Sequence, residues 1–495
     1  MIIHLNYLPK AGETGAGDVL GALFALIDQG RLDPEMLPHL RLHLDWIQYK
    51  ANFREPVTVR RAADARGERM ALAELAVDLR RTSRDRVVDD LASALASMGS
   101  SAASGGTIAS VSTGAPDHGD RVVVDDWVPL GDSSIWQFNR LFWQRLADWE
   151  RQSGRGFEAA LPSGRSDAND PAAVADAVAD FWTLLVELDK RGQLPAEIFA
   201  LEIGVGSGTR ANLWLDRFKA IDEARATGFY QRLRFLLADY SLPTLDRAMS
   251  AVAAHRDVVS MIATDALNPL RALSFLRYKI LYVHLTNVYD NLPVDELVRR
   301  DGQLYLVETR AYLPGPLART IAMAHGIGTE QLRPTIARLL ETGPDLFGDR
   351  ERGVAFWRAV WDGLCLEERL RYLEGTADVP LPPGLHGDDL DELLANAPAD
   401  IRFHISRGAV ESFVNTVPLL HPRGYLQVQD IFVATMDEYR QGFRGPGKLD
   451  GSVVNWVNGA LLRAVGARTG YDVHFAPFRY RPASRTSILY TTLRE

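Results

Sequence analysis

Four apolar runs punctuate the middle of the chain: Ile198–Ile203, Leu233–Ala238, Val258–Ala263 and Ile280–Leu285. Each is too short for a buried helix and gives way to glycine or a polar residue, so each predicts a buried strand. Between them, Trp214, Phe218 and Ile221, and later Leu245, Met249 and Val252, recur at helical spacing. Strands alternating with helices predict an α/β fold, a parallel sheet with helices on both faces.

The flanks differ in texture. Ile2–Leu5 has the pattern of a short strand, and Val19–Asp28, Met70–Leu79 and Val87–Leu95 read as helices. Residues 98–120 are dense in Ser, Gly, Ala and Thr, the composition of a flexible linker, which sets off residues 1–97 as an N-terminal accessory region. Residues 121–195 form a helical lead-in, after a candidate strand at Val122–Trp127. Its aromatic stretch holds Trp136, Phe138, Phe142, Trp143 and Trp149, read first as helix core and second as a ligand-binding cluster. A polar loop, Ser163–Pro171, precedes a helix at Ala172–Leu188. Residues 314–400 break the strand–helix rhythm with amphipathic stretches (Ile321–Ala324, Leu332–Leu340, Phe356–Leu364) and the Pro380–Pro383 turn. They predict a helical insertion capping a sheet domain built from 196–313 and 401–495. In the second half, Tyr425–Phe432 reads as a strand, and Tyr471–Phe475 with Ser487–Leu493 as a closing antiparallel hairpin.

Composition narrows the classes. The 495 residues are 46% hydrophobic and 24% charged, as in ordinary globular protein. No stretch of about 18 uncharged apolar residues offers a membrane span. The net charge of -9 argues against sequence-independent nucleic-acid binding. A lone cysteine, Cys365, excludes an intramolecular disulfide framework and Cys-clustered metal sites. Met1–Lys10 lacks a basic segment followed by an apolar core. The expectation is therefore a reducing cytoplasmic location, no membrane partner and no bound metal.

The candidate chemistry sits at the ends of the apolar runs. Glu202-Ile203-Gly204-Val205-Gly206-Ser207-Gly208-Thr209 closes the first run and opens a helix. A dinucleotide fingerprint wants glycine or alanine where Thr209 stands, and Gly208 comes one residue early. An NAD-dependent oxidoreductase is disfavoured on that spacing. A carboxylate at Glu202 would repel phosphate and suit a ligand with a cationic end, such as S-adenosylmethionine. The bland alternative is a solvated strand-end acid. Asp239 ends the second run and can accept both ribose hydroxyls, or else form an Asx turn. Asp265 follows the third, where it can accept an exocyclic amine, with Ala266 beside the ring. Three acids at successive carboxyl ends, with Gly204, Gly206 and Gly208 at the first, point to one nucleoside crevice.

These residues resemble class I S-adenosylmethionine-dependent methyltransferases. Leu285-Thr286-Asn287-Val288-Tyr289-Asp290-Asn291-Leu292-Pro293-Val294 resembles the Asn-Glu-x-x-Asp-Ala-Leu-Pro-Val element of the MidA family, which includes mitochondrial complex I assembly methyltransferases. Gly424–Phe432 resembles its Gly-x-Leu-x-x-x-Asp-Tyr-Gly strand, and Gly445–Gly451 its Pro-Gly-x-x-Asp-Ile-Thr segment. The likeness spans roughly Ala196–Glu495, the insertion excepted, and implies a Rossmann-like sheet, bound S-adenosylmethionine and methyl transfer. Two departures stand out. The Asn-Glu pair is Thr286-Asn287, which removes a natural partner for a guanidinium, and the Asp-Tyr-Gly triplet is Asp430-Ile431-Phe432.

Because the cofactor is already activated, orienting the acceptor supplies much of the rate, and one base can assist. Asp290 and His404 are the catalytic candidates, with Asn287 and Tyr289 as acceptor contacts. Asp290 as a turn cap and Tyr289 as core are the competing readings, and His284 inside its apolar run reads as a core histidine. The expected activity is methyl transfer to an O or N nucleophile of a protein, peptide or small molecule. A homodimer is one assembly open to the chain. The rival from another class is a non-catalytic assembly or scaffold protein that keeps the cofactor pocket.

Overall fold

The computed structural model describes residues 121–494, apart from 162–163, 441–444 and 483. Before them it describes the backbone of four strands and residues 21, 24–30, 34 and 53. Those strands form one sheet in the order Ile2–Leu5, Leu40–Trp46, Arg69–Val77, Val57–Ala63, with only the last pair antiparallel. The helix expected over Met70–Leu79 is therefore a strand. Its Ala- and Leu-rich sequence favours helix locally, and pairing on both edges overrides that propensity. The linker expected over 98–120 and the helix expected over Val87–Leu95 lie outside the described residues.

Eleven strands organise the remainder. They are β1 (Ile198–Ile203), β2 (Leu233–Asp239), β3 (Val259–Ala263), β4 (Ile280–Thr286), β5 (Asp295–Arg300), β6 (Gln303–Pro314), β7 (Cys365–Leu373), β8 (Ile401–Ile405), β9 (Leu420–Asp430), β10 (Tyr471–Pro477) and β11 (Ser487–Leu493). The main sheet runs β3-β2-β1-β4-β9-β11-β10. Every pairing is parallel except the two made by β11. This is the Rossmann-like order of class I methyltransferases, and the strand order reverses between β1 and β4. A crevice opens at such a switch point.

The pleat divides the core in two. Ile198 and Ala200 of β1, with Phe235 and Leu237 of β2, face Phe181, Trp214 and Phe218 from the helices Pro171–Lys190 and Thr209–Arg225. Leu201 and Ile203, with Leu236 and Ala238, face the opposite layer, where Phe413 and Leu461 come from the helices Arg407–Thr416 and Gly459–Thr469. Alternating burial on both faces is why these strands read as continuous apolar runs rather than as alternating ones.

The insertion is not solely helical. It begins with β5, and β5 to β8 form an antiparallel sheet in the order β7-β6-β5-β8, onto which Arg121–Val123 and Val128–Pro129 pair through β6. Only the stretch between β6 and β7 is mainly helical, with helices Gly315–Ala324, Leu332–Thr342 and Arg350–Gly363. The strand β7 carries no apolar signature, because its centre, Glu367-Glu368-Arg369, is polar. Ion pairs across the sheet satisfy it: Arg369 Nε donates to Glu308 at 2.6 Å, and Arg402 Nη2 to Glu368 at 2.9 Å. The lead-in helix Ser134–Gln144 and the insertion helices share one apolar core containing Phe138, Phe142, Trp357 and Trp361.

Candidate functional site

The carboxyl ends of β1 to β4 open onto a cavity of about 500 Å³. Glu202, Gly204, Gly206, Asp239, Asp265, Ala266 and Asn287 all line it. The glycine loop has backbone reasons for its composition. Gly204 has φ of 76°, and a Cβ there would lie 2.5 Å from Val288 Cγ2. Gly208, at φ 77°, lets the loop seat against Ala248, whose Cα would be 2.7 Å from an added Cβ. Gly208 thus packs the loop and caps the helix Thr209–Arg225, and is not among the lining residues. A Cβ on Gly206 would meet nothing within 4 Å, so that position keeps clear space beside the cavity.

The two acids beyond the loop combine a turn role with a place in the cavity wall. Asp239 Oδ1 accepts the Ser241 N–H at 2.9 Å, and burial pushes its carboxyl up to about 6. Asp265 Oδ1 accepts the Leu267 N–H at 3.0 Å, with Arg140 Nη2 3.7 Å from its other oxygen. Cap and cavity wall are thus compatible in one side chain. Glu202 is different. It is 4% exposed, and Arg210 Nη1 donates to its Oε2 at 2.8 Å. The acid at the end of β1 is the counter-ion of a buried arginine, not a free carboxylate.

Three of the expected site residues lie away from the cavity wall. Asp290, Tyr289 and His404 do not line the cavity. After β4 the chain makes a single 3₁₀ turn, Tyr289–Asn291. Residues three apart share a face of such a turn, so Val288 and Asn291 line the cavity while Tyr289 and Asp290 are buried behind it. Asp290 Oδ1 accepts from Asn291 Nδ2 at 2.7 Å. Asp430 Oδ2 accepts the N–H groups of Tyr289 at 2.9 Å and Asp290 at 3.2 Å. Burial, and for Asp290 the neighbouring Asp430 charge, push both carboxyls upward. His404 lies on β8, 1% exposed, with its ring nitrogens 3.0 and 3.2 Å from the carbonyls of Trp456 and Gly445. It is a buried core histidine whose pKa burial lowers, and its neutral ring donates to one of the two carbonyls.

The opposite wall comes from the lead-in. Trp136, Arg140 and Trp143, spaced i, i+4, i+7, face the cavity from one stripe of the helix Ser134–Gln144, with Gln137 and Asn139 alongside. Two amide contacts fasten that helix to the turn after β4: Asn139 Nδ2 donates to Asn291 O at 2.7 Å, and Trp143 Nε1 to Asn291 Oδ1 at 3.1 Å. An arginine inside an aromatic stripe was the signal for this wall, since a stripe meant only for core would not carry it. Among the described residues, no three His, Cys, Asp or Glu side chains converge as a metal site, and no helix is long and apolar enough to cross a membrane.

No family model matches the chain, and no curated protein matches it. Among solved structures, it is similar to a COG1565 superfamily member from Burkholderia thailandensis bound to S-adenosyl-homocysteine, with a TM-score of 0.45 and 12% identity over 74% of this chain and 88% of that one. An uncharacterized protein of the same superfamily and organism gives 0.42 and 12% over 74% and 87%. The CurJ carbon methyltransferase gives 0.29 and 11% over 72% and 70%.

Proposed function

We propose that the chain is an S-adenosylmethionine-dependent methyltransferase whose cofactor occupies the cavity at the β1–β4 switch point. The observation that carries this reading is the convergence of Glu202, Asp239 and Asp265, at three successive strand ends, on one cavity that begins at a glycine loop. The residues fit the group. A carboxylate at Asp239 suits a ribose diol, Asp265 with Ala266 suits an adenine edge, and the clear space at Gly206 suits close approach of a ligand. S-adenosylmethionine, when bound, supplies an activated methyl group. The chain's own task is to hold cofactor and acceptor in line and to exclude water.

Acceptor chemistry belongs with the turn after β4, where Asn287 lines the cavity. The MidA-like resemblance supports a protein, peptide or small-molecule O or N nucleophile. Arginine fits this site poorly, because Asn287 stands where that family has glutamate and offers no charge-assisted partner. Calorimetry with S-adenosylhomocysteine tests the reading. Binding that Asp239→Ala weakens at least tenfold supports it, and no binding by the 495-residue chain overturns it. A chain that binds the cofactor yet transfers no methyl group to any acceptor would be the scaffold protein instead.

A further inference from the structure

Beneath the cavity floor, a buried chain of hydrogen bonds leaves Glu202 and returns to the cavity at Thr286. Arg210 bonds Glu202 through Nη1 and donates through Nη2 to the Tyr282 hydroxyl at 2.6 Å. Tyr282 donates to Gln427 Oε1 at 2.8 Å. His284 Nδ1 is 3.0 Å from the same Gln427 oxygen, and its Nε2 is 2.6 Å from Thr286 Oγ1. Arg210, Tyr282, His284 and Gln427 are each at most 4% exposed.

The direction of the bonds follows from the Arg210 donor together with the orientation of the Gln427 amide, whose Oε1 faces Tyr282 and His284. A guanidinium only donates. The Tyr282 oxygen therefore accepts from Arg210, and its proton goes to Gln427 Oε1 at 2.8 Å rather than to His284 Nδ1, which lies farther off at 3.2 Å. Gln427 turns its Nε2 to the Tyr490 hydroxyl at 3.2 Å and its oxygen to His284. His284 must then donate from Nδ1, which leaves Nε2 bare in the neutral ring. Burial and the Arg210 charge both favour that neutral form. The bare nitrogen takes the Thr286 hydroxyl proton, so Thr286 Oγ1 presents only lone pairs to the cavity it lines.

We propose that Thr286 Oγ1 is a preset hydrogen-bond acceptor for a cationic N–H group, and that the α-ammonium of the cofactor is the group it fits. The assignment rests on the methyltransferase reading and adds a binding residue to it. It also resolves the position of Glu202: the carboxylate expected to meet that cation is neutralised by Arg210, and the network passes its polarity to Thr286 instead. An acceptor whose proton is already committed needs no reorientation on binding and disfavours ligand groups that themselves accept.

The test compares two ligands on the 495-residue chain by calorimetry: S-adenosylhomocysteine, and 5′-methylthioadenosine, which shares the nucleoside and thioether but lacks the amino-acid end. Thr286→Val is expected to weaken S-adenosylhomocysteine by about tenfold to a hundredfold, the worth of a hydrogen bond to a charged group. Methylthioadenosine binding should be unchanged, which also reports an intact pocket, and Thr286→Ser should restore most of the lost affinity. Unchanged S-adenosylhomocysteine affinity in Thr286→Val overturns the assignment, as does equal weakening of both ligands. A wild-type chain that binds neither ligand overturns the cofactor reading itself, an outcome distinct from wild-type binding that the variant retains.

Discussion

Arg210 Nη1 and Glu202 Oε2 lie 2.8 Å apart with their side chains only 4% and 5% exposed. Desolvation pushes the Glu202 carboxyl up, and Arg210 draws it back only in part. The pair therefore survives burial because each member has the other, with little net surplus. Removing one partner leaves an uncompensated charge. Arg210→Met should destabilise the fold by about 3–5 kcal/mol. Adding Glu202→Leu to it should recover part of that loss. Urea unfolding of the two single variants and the double variant checks both statements, and additive losses would mean the side chains are not coupled.

The Asp239 carboxyl, raised to about 6 by burial, gives cofactor affinity a pH signature. The folded pKa lies above the ordinary value of 3.8, so the unliganded fold is favoured by protonation of Asp239. That contribution is fully present below the ordinary value and is lost as pH rises through the folded pKa. A ribose diol needs the ionised form as acceptor. S-adenosylhomocysteine affinity should therefore fall below pH 6, approaching about tenfold per pH unit for one linked proton. In Asp239→Asn the affinity should be low and nearly flat over the same range. Calorimetry at pH 5, 6 and 7.5 separates the two profiles, and a wild-type affinity that is constant across them would remove Asp239 from the ligand.

The parallel sheet and the acids at its strand ends were legible because each rests on local signals. Buried parallel strands such as Ile198–Ile203 are apolar throughout, and the acids follow directly in sequence. What sequence did not reveal depends on contacts between distant segments. Glu202 is paired because Arg210, in the first turn of the helix that follows the glycine loop, folds back onto it, a placement that carries no mark in sequence. Asp290 turns away from the cavity because of a single 3₁₀ turn, whose rotation no hydrophobic pattern records. His404 is sealed by Trp456 and Gly445, more than forty residues away. The strand β7 is polar in sequence because its partners are charges on β6 and β8.

Lys448 carries a structural charge with its own pH signature. Its Nζ donates to the carbonyls of Trp361 at 2.6 Å, Asp362 at 3.1 Å and Leu364 at 2.7 Å. These lie at the end of the helix Arg350–Gly363, where carbonyls lack intrahelical partners and the dipole favours a cation. Burial nevertheless lowers its pKa from 10.5 to about 8. The unfolded chain therefore binds more protons between those values, and stability rises with pH across that window. Lys448→Met should cost about 1–3 kcal/mol near neutrality through the unpaired carbonyls. Urea midpoints at pH 7.5 and 9.5 should show wild type gaining on the variant at the higher pH, and parallel midpoints would contradict the assigned shift.

Asp290 and Asp430 provide the test of catalysis without a base from the turn after β4. Both carboxyls are buried, and both are pushed above the ordinary carboxylate range. Their raised values make the protonated pair the comfortable form. The associated stability is present below the ordinary range and is lost as pH rises through the raised pKa values. The two residues differ in what they hold. Asp430 accepts the backbone N–H groups of Tyr289, Asp290 and Ile431, whereas Asp290 accepts from one side chain, Asn291. Asp430→Ala should therefore destabilise strongly, at about 1–3 kcal/mol for each buried donor left unpaired. Asp290→Asn keeps an acceptor for Asn291 and removes one of two neighbouring negative charges. It should leave S-adenosylhomocysteine affinity and methyl transfer within about twofold of wild type and raise the urea midpoint at pH 8, where the wild-type pair carries most charge. If Asp290→Asn instead abolishes transfer while the fold and cofactor affinity stay intact, Asp290 acts on the acceptor after all, and the turn must rotate it into the cavity when the acceptor binds.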